Sequence, residues 1–236
     1  MNMKISSLLF TLLLFSICVQ AQTPSQDAGI LSIKKTKDFE VSGKGDAANW
    51  KETSFVALTH RKGNKQYSSQ FKILYSEKGI YCLYVSQDSL ITSTIREDFA
   101  DIYNEDVVEV FFWPNEKSNI YFEYELSPYN YELPILVPNY EGKFLGWRPW
   151  HYEGDRLTRH AASINKTNGK VTSWTAEFFI PYTLLAPLQN VPPVSGTSWR
   201  ANFYRIDYDN NTSQWSWMPT RKNFHDYEKF GRIIFE

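Results

Sequence analysis

From residue 71 to the end, apolar and polar residues alternate with a period of two, in short runs that stop at turn residues. FKILYS (71–76) passes through Glu77-Lys78-Gly79 into IYCLYVS (80–86), which predicts a β-hairpin. DVVEVFFW (106–113) stops at Pro114, and IYFEYELS (120–127) stops at Pro128. HAASI (160–164) turns through Asn165–Gly169 into KVTSWTAEFFI (170–180); WRANFYRIDY (199–208) and FGRIIFE (230–236) follow. Strands recurring with turn signals between them predict an all-β chain built as an antiparallel sandwich or barrel. One helix-like piece stands out, PYTLLAPL (181–188). Pro181 suits its first position, and Pro187 limits it to a turn or two.

Successive side chains of a strand point to opposite faces, so the alternation also sorts residues. In 106–113, Val108, Val110 and Phe112 oppose Val107, Glu109 and Phe111. In 120–127, Phe122, Tyr124 and Leu126 oppose Tyr121, Glu123 and Glu125. In 199–208, Trp199, Ala201, Phe203, Arg205 and Asp207 oppose Arg200, Asn202, Tyr204, Ile206 and Tyr208. Acids and an arginine therefore share faces with aromatic rings. Glu123, Glu125 and Glu177 fit a solvated outer face with cross-strand ion pairs. Glu109 and Arg205, each flanked by aromatics, are candidates for binding a polar ligand.

The first residues change the domain picture. Lys4 precedes an apolar run, Leu8–Val19, and Val19-Gln20-Ala21 offers a cleavage site, so 1–21 reads as a secretory signal peptide. The run is too short for a membrane span. Cys18 raises lipid anchoring as the lesser alternative, since Ile17 before it is not small. Residues 22–37 read as a polar spacer and 38–236 as one domain. Cleavage leaves Cys82 alone, in an apolar strand, so the fold rests on its core rather than on a disulfide. The formal net charge of −1, with no basic stripe, argues against nucleic acid and anionic membranes as partners.

Familiar catalytic motifs are missing: HExxH, paired CxxC, GxSxG, the P-loop and GxGxxG do not occur. The four histidines lack metal-ligand spacing, although His151 and His225 sit beside aromatics. Asp98, Asp101, Glu105 and Asp106 cluster before the 106 strand, and Asp207, Asp209, Asn210 and Asn211 cluster at a turn. Either cluster supplies oxygens of the kind calcium takes, and Asp98, Asp101 and Asp106 are the first candidates for a structural calcium. No cofactor is otherwise implied.

Aromatics form 17% of the chain, more than a sandwich core explains. The stretch GWRPWHYEG (146–154) sets Trp147 and Trp150 in a loop broken by glycine and proline. A Trp or Tyr ring laid against the C–H face of a sugar removes apolar area from water on both sides. Carboxylate, amide and guanidinium groups then bind the hydroxyl rim. Tyr103, Trp147, Trp150, Trp215 and Trp217 are candidate platforms, and Glu109, Arg148, Asn202 and Arg205 candidate polar partners. At least one of Trp147 and Trp150 is expected to tuck back into the structure, since Trp is more often buried than displayed.

FEVSGKGDAANW, YVSQD, REDFADIYNEDVVEVFF, WTAEFFIPY, GTSWRANFYRIDY, WSWMP and FHDYEKFG, in that order, resemble the family 9 carbohydrate-binding modules, which lie within the DOMON-like β-sandwiches. The resemblance covers about residues 38–236 and looks closest to a stand-alone exported branch of Bacteroidetes type. It implies an antiparallel sandwich with jelly-roll character, often with calcium, and a sugar end gripped between two tryptophans. The family pattern W-x-x-D-x-x-E matches Tyr103 through Glu109, so Tyr103 takes the place of the first platform and Glu109 of its polar partner. Trp217, or else Trp215, matches the second platform, and nothing in the pattern matches Trp147 and Trp150. The expected function is capture of a polysaccharide or oligosaccharide outside the cytoplasm, alongside other glycan-utilisation proteins. A glycosidase using Glu109 is the alternative; such a pair of acids would stand roughly 5–10 Å apart. An envelope module that binds only protein is a second alternative, and haem binding through Met218 and His225 a weaker third.

Overall fold

The computed structural model describes residues 29–236; the expected signal peptide, with Cys18, lies outside them. Fifteen strands follow in order: β1 (Ile30–Lys35), β2 (Val56–Ala57), β3 (Thr59–Lys62), β4 (Ser69–Tyr75), β5 (Gly79–Gln87), β6 (Val107–Trp113), β7 (Ile120–Leu126), β8 (Glu132–Tyr140), β9 (Lys143–Phe144), β10 (Arg148–Pro149), β11 (Arg159–Thr167), β12 (Lys170–Pro181), β13 (Ser198–Asp207), β14 (Ser213–Ser216) and β15 (Gly231–Phe235). One helical turn, α1 (Tyr182–Leu185), follows β12, directly after Pro181.

The strands form two layers. One sheet runs β10-β8-β7-β6-β13-β15-β1, and the other β1-β4-β5-β12-β11. β1 belongs to both: Ile30–Ile33 pair parallel with β15, and Lys34 and Lys35 pair parallel with β4. Residues 30–35 are therefore not part of a polar spacer. They join the layers, and only Leu31 and Ile33 of this strand turn inward. The other pairings described are antiparallel. The core between the layers takes Val108, Val110, Phe112, Phe122, Tyr124 and Leu126 from the first sheet, and Phe71, Tyr84, Trp174 and Phe178 from the second. Phe71 and Phe203 stack across it with centroids 3.8 Å apart.

The first sheet is covered on its outer face too. Val107, Phe111, Tyr121, Ile135, Tyr204 and Ile206 pack there under loops carrying Ile102, Tyr227 and Phe230. Every residue of β6 is consequently buried, which accounts for its nearly unbroken apolar sequence. β8 does not stand out in the sequence, because Pro134 and Pro138 interrupt it. Both prolines turn their backbone groups outward: their carbonyls accept from Trp150 N–H (2.8 Å) and Leu145 N–H (3.1 Å). The missing proline N–H groups thus fall away from β7, and that ladder stays intact from Ile120 to Leu126.

On the outer face of the second sheet, Glu177 is fully buried rather than solvated. Its carboxylate accepts from the backbone N–H of Ser42 (3.0 Å), Gly43 (2.8 Å) and Gly45 (3.2 Å), and from Trp50 Nε1 (2.8 Å). Gly43 adopts φ +75°, and a β-carbon there would lie 2.8 Å from the Ala161 backbone. Glu177 thus fastens the loop before β2 to the sheet.

Candidate functional site

The outer face of the first sheet holds a cleft of about 410 Å³. Its floor is acidic. Glu109 of β6 pairs with Glu125 of β7, and Glu123 stands one step along the same face, paired with Phe111. One carboxylate oxygen from each of the three lies within 4.8 Å of the others. All three residues are buried, with 1–3% exposure. Burial is the first cause that pushes each carboxyl above the usual carboxylate range. The like charge of Glu123 adds to this at Glu109, and the charges of Glu109 and Glu123 add to it at Glu125. Glu123 Oε2 and Glu125 Oε2 have no hydrogen-bond partner among the described residues.

Aromatic rings form the walls. Tyr103 and Trp147, both half-buried, meet edge to face with centroids 5.7 Å apart. Tyr208 holds the Tyr103 segment in place by donating from its hydroxyl to the Tyr103 carbonyl (2.8 Å). Phe144 stacks on His225 at 4.0 Å, and Phe224 stacks on Tyr204 at 4.1 Å. His225 Nδ1 pairs with the Tyr121 hydroxyl at 2.7 Å and lies 3.8 Å from Glu123 Oε2. Burial pushes the imidazole down to about 4, so it is neutral at pH 7 and does not compensate the acids. Lys62 and Lys222 also line the cleft but are exposed and form no ion pair with the triad.

Of the residues singled out from the sequence, Tyr103, Glu109 and Trp147 come together here. The others lie elsewhere. Trp150 turns back onto the core and donates Nε1–H to the Leu184 carbonyl (3.2 Å). Trp215 is fully buried and donates to the Tyr67 carbonyl (3.0 Å). Trp217 packs on Phe203 and so close to Gly231 that a β-carbon there would stand 2.4 Å from its ring. Neither tryptophan reaches the cleft opposite Tyr103. Arg148 is exposed and bonds the neighbouring Trp147 carbonyl (3.0 Å) without lining the cleft. Asn202 is on the cleft side of β13 but sealed: its amide donates to the Tyr204 hydroxyl (2.7 Å) and the Met218 carbonyl (3.1 Å).

Arg205 faces the other way. It pairs with Val108, so it points between the layers rather than into the cleft. There it bonds Asp88 (2.9 Å), Asp207 (2.8 Å) and the Gln87 carbonyl (2.6 Å). Asp88, Asp207 and Asp209 form a second acidic cluster, with Lys65 3.5 Å from Asp209.

Asp98, Asp101 and Asp106 do not converge. Among the described residues, the acidic groups that do are the two clusters above. Asp106 is buried and accepts from Thr92 N–H (2.6 Å) and Tyr208 N–H (2.8 Å), while Asp98 and Asp101 are exposed. Asp98 instead accepts from Glu132 N–H (3.0 Å). Asp98 and Asp106 tie loops together, and the three acids do not converge as the expected calcium would require.

A family model for the carbohydrate family 9 binding domain-like proteins matches residues 41–236. The chain belongs to that family. Carbohydrate binding is the function that this membership supports. The fold is similar to that of a candidate carbohydrate-binding protein from Bacteroides uniformis, with TM-score 0.73 and 19% identity over 88% of this chain and 99% of that one. It is also similar to a family 9 carbohydrate-binding module from Caldicellulosiruptor kristjanssonii, solved with cellotriose, with TM-score 0.64 and 15% identity over 88% of this chain and 93% of that one. A structure of a module from that organism with glucose gives TM-score 0.64 at 14% identity, covering 88% and 95% of the two chains. An extracellular protein of Arthroderma benhamiae is 28% identical over 148 residues, 57% of this chain and 63% of that protein's length. Among the described residues, no helix is long and apolar enough to cross a membrane.

Sequence alone does not reveal the walls formed by Phe144, Tyr208, Phe224 and His225, and it suggests solvent around Glu123 and Glu125. The presence of His225 beside aromatic residues is a usable signal. The convergence of Glu109 with Glu123 and Glu125 has none, because it depends on the register between β6 and β7.

Proposed function

We propose that the protein is an exported carbohydrate-binding protein that holds a polysaccharide or oligosaccharide in the outer cleft of its first sheet, without cleaving it, alongside other glycan-utilisation proteins. The observation that carries this is the pairing of two half-exposed rings, Tyr103 and Trp147, above a floor of three carboxyls. The rings offer apolar faces to the C–H surface of a sugar, and the carboxyls accept from its hydroxyls. The glucose and cellotriose held by the Caldicellulosiruptor module make gluco-oligosaccharides the natural first ligands to test. Export is supported by the character of residues 1–21 and by the extracellular relative.

Trp147 lies in the cleft, so its fluorescence reports occupancy. Titrating the mature protein with plant and host oligosaccharides should give a saturable change for one glycan class, reduced or lost in Trp147→Ala. A folded protein with no response to any sugar by fluorescence or calorimetry would refute the proposal.

A further inference from the structure

Among the described residues the three buried carboxyls of the cleft have no ion-paired lysine or arginine, and this narrows the ligand class of the carbohydrate site just proposed, on which the inference rests. The fold's other buried acids have donors of their own. Glu177 has three backbone N–H groups and an indole N–H. Asp88 and Asp207 have Arg205. Asp106 has two backbone N–H groups, and Asp209 has the Thr92 hydroxyl and Lys65. Glu132 accepts from the Tyr124 and Thr158 hydroxyls. Among the described residues, Glu109, Glu123 and Glu125 have no lysine or arginine nitrogen within 4.0 Å, and two of their oxygens are buried and unpartnered in residues that line the cleft. Burial and mutual repulsion favour the protonated forms while the cleft holds no cation; once ionised, carboxylates only accept, and a cation relieves their repulsion. A neutral sugar hydroxyl brings one proton to such a site. An ammonium group brings three donors, no acceptor and a positive charge.

We propose that the sugar recognised in this cleft carries a free amino group, and that the ammonium of a hexosamine sits among Glu109, Glu123 and Glu125. Three acceptor oxygens, all within 4.8 Å of one another, suit the three N–H bonds of one ammonium. The surrounding rings favour a cation attached to a carbon ring, since aromatic faces attract cations as well as C–H groups. A divalent metal fits less well: hard cations take roughly six to eight oxygens. Beyond the triad the cleft lining holds no further carboxylate among the described residues: its remaining side-chain oxygens are the neutral ones of Tyr103, Tyr208, Gln214 and Asn223, beside the lysines Lys62 and Lys222.

Calorimetry on the mature protein at pH 7 tests this with three matched oligosaccharides: glucosamine, N-acetylglucosamine and glucose oligomers of equal length. The expected result is at least a tenfold preference for the glucosamine oligomer over both others, with the ratio falling towards one in Glu125→Gln and in Glu123→Gln. Equal or weaker binding of the amino form by the wild-type protein overturns the inference, and that comparison needs no variant to fold. A preference that persists in both folded variants also overturns it. So does saturable binding of calcium or manganese that is lost in the same variants and that the amino sugar does not displace. Binding of neutral sugars without an amino preference sinks this inference alone; binding of no sugar sinks the carbohydrate reading beneath it.

Discussion

Two clusters of buried acids lie on opposite sides of the same sheet, and they are built for different ends. Between the layers, Asp88, Asp207 and Asp209 surround Arg205 and approach Lys65, so charge is matched by charge. Burial still raises Asp88 to about 6, with the guanidinium pulling in the opposite direction. On the outer face, Glu109, Glu123 and Glu125 converge as closely, with a neutral imidazole and aromatic rings around them and with Lys62 and Lys222 in the cleft lining but not ion-paired to them. A buried acid with an internal partner is part of the fold. A buried acid left without one, at the bottom of a cleft, awaits a partner from outside.

The comparison breaks most sharply at Arg205. Arg205→Met removes the counter-charge and leaves Asp88 and Asp207 buried and unpaired, which should lower unfolding stability by about 3–5 kcal/mol. Urea denaturation measures this, and a loss below about 1 kcal/mol would show that the arginine does not neutralise the cluster as described.

Glu123→Gln should act in the opposite direction. The Glu123 carboxyl is raised from 4.5 to about 8 in the folded protein. The folded state therefore binds the proton more tightly than the unfolded state. Its stabilising contribution is fully present below about pH 4.5 and is lost as pH rises towards about 8. Removing the group should raise stability by on the order of 2–3 kcal/mol at pH 7 and change little at pH 4. Asp106, also raised to about 8, slopes the same way and stays in both proteins, so the difference between the two melting curves reports Glu123 together with its effect on Glu109 and Glu125. Parallel curves from pH 4 to pH 8 would contradict this.

Tyr103→Ala separates binding from folding. The ring is half-buried at the mouth of the cleft, so truncation should weaken sugar binding by about 1–2 kcal/mol, a factor of roughly five to thirty, with the fold intact. Unchanged affinity by calorimetry would move the site away from this wall. The smallest effect belongs to Arg148. It is exposed and off the cleft, and Arg148→Ala should change stability by less than about 0.5 kcal/mol and leave affinity unaltered. A clear loss of affinity would extend the site onto the loop's outer side.

The strands and the two faces of β6, β7 and β13 are legible in the sequence, because a period of two follows from the pleat itself. DVVEVFFW places Glu109 opposite Val108, and that is how it stands. Strands that lack the period are not legible: β8 is broken by prolines, and β1 hides in a polar stretch. Tyr103 and Glu109 belong to one short local pattern, and they share the cleft.

What a sequence does not contain is which face of one strand adjoins which face of the next. By sequence, Arg205 groups with Glu109 as a ligand residue because both sit among aromatics. Register pairs Tyr204 with Glu109 and Arg205 with Val108, and a one-residue step sends a side chain to the other side of a sheet. Trp147 and Trp150 are three residues apart in one loop, yet one lines the cleft and the other donates to the carbonyl of Leu184. Local alternation thus determined that this chain makes half-buried strands carrying acids and rings. Only the tertiary pairing decided which acids are neutralised within the fold and which are left for a ligand.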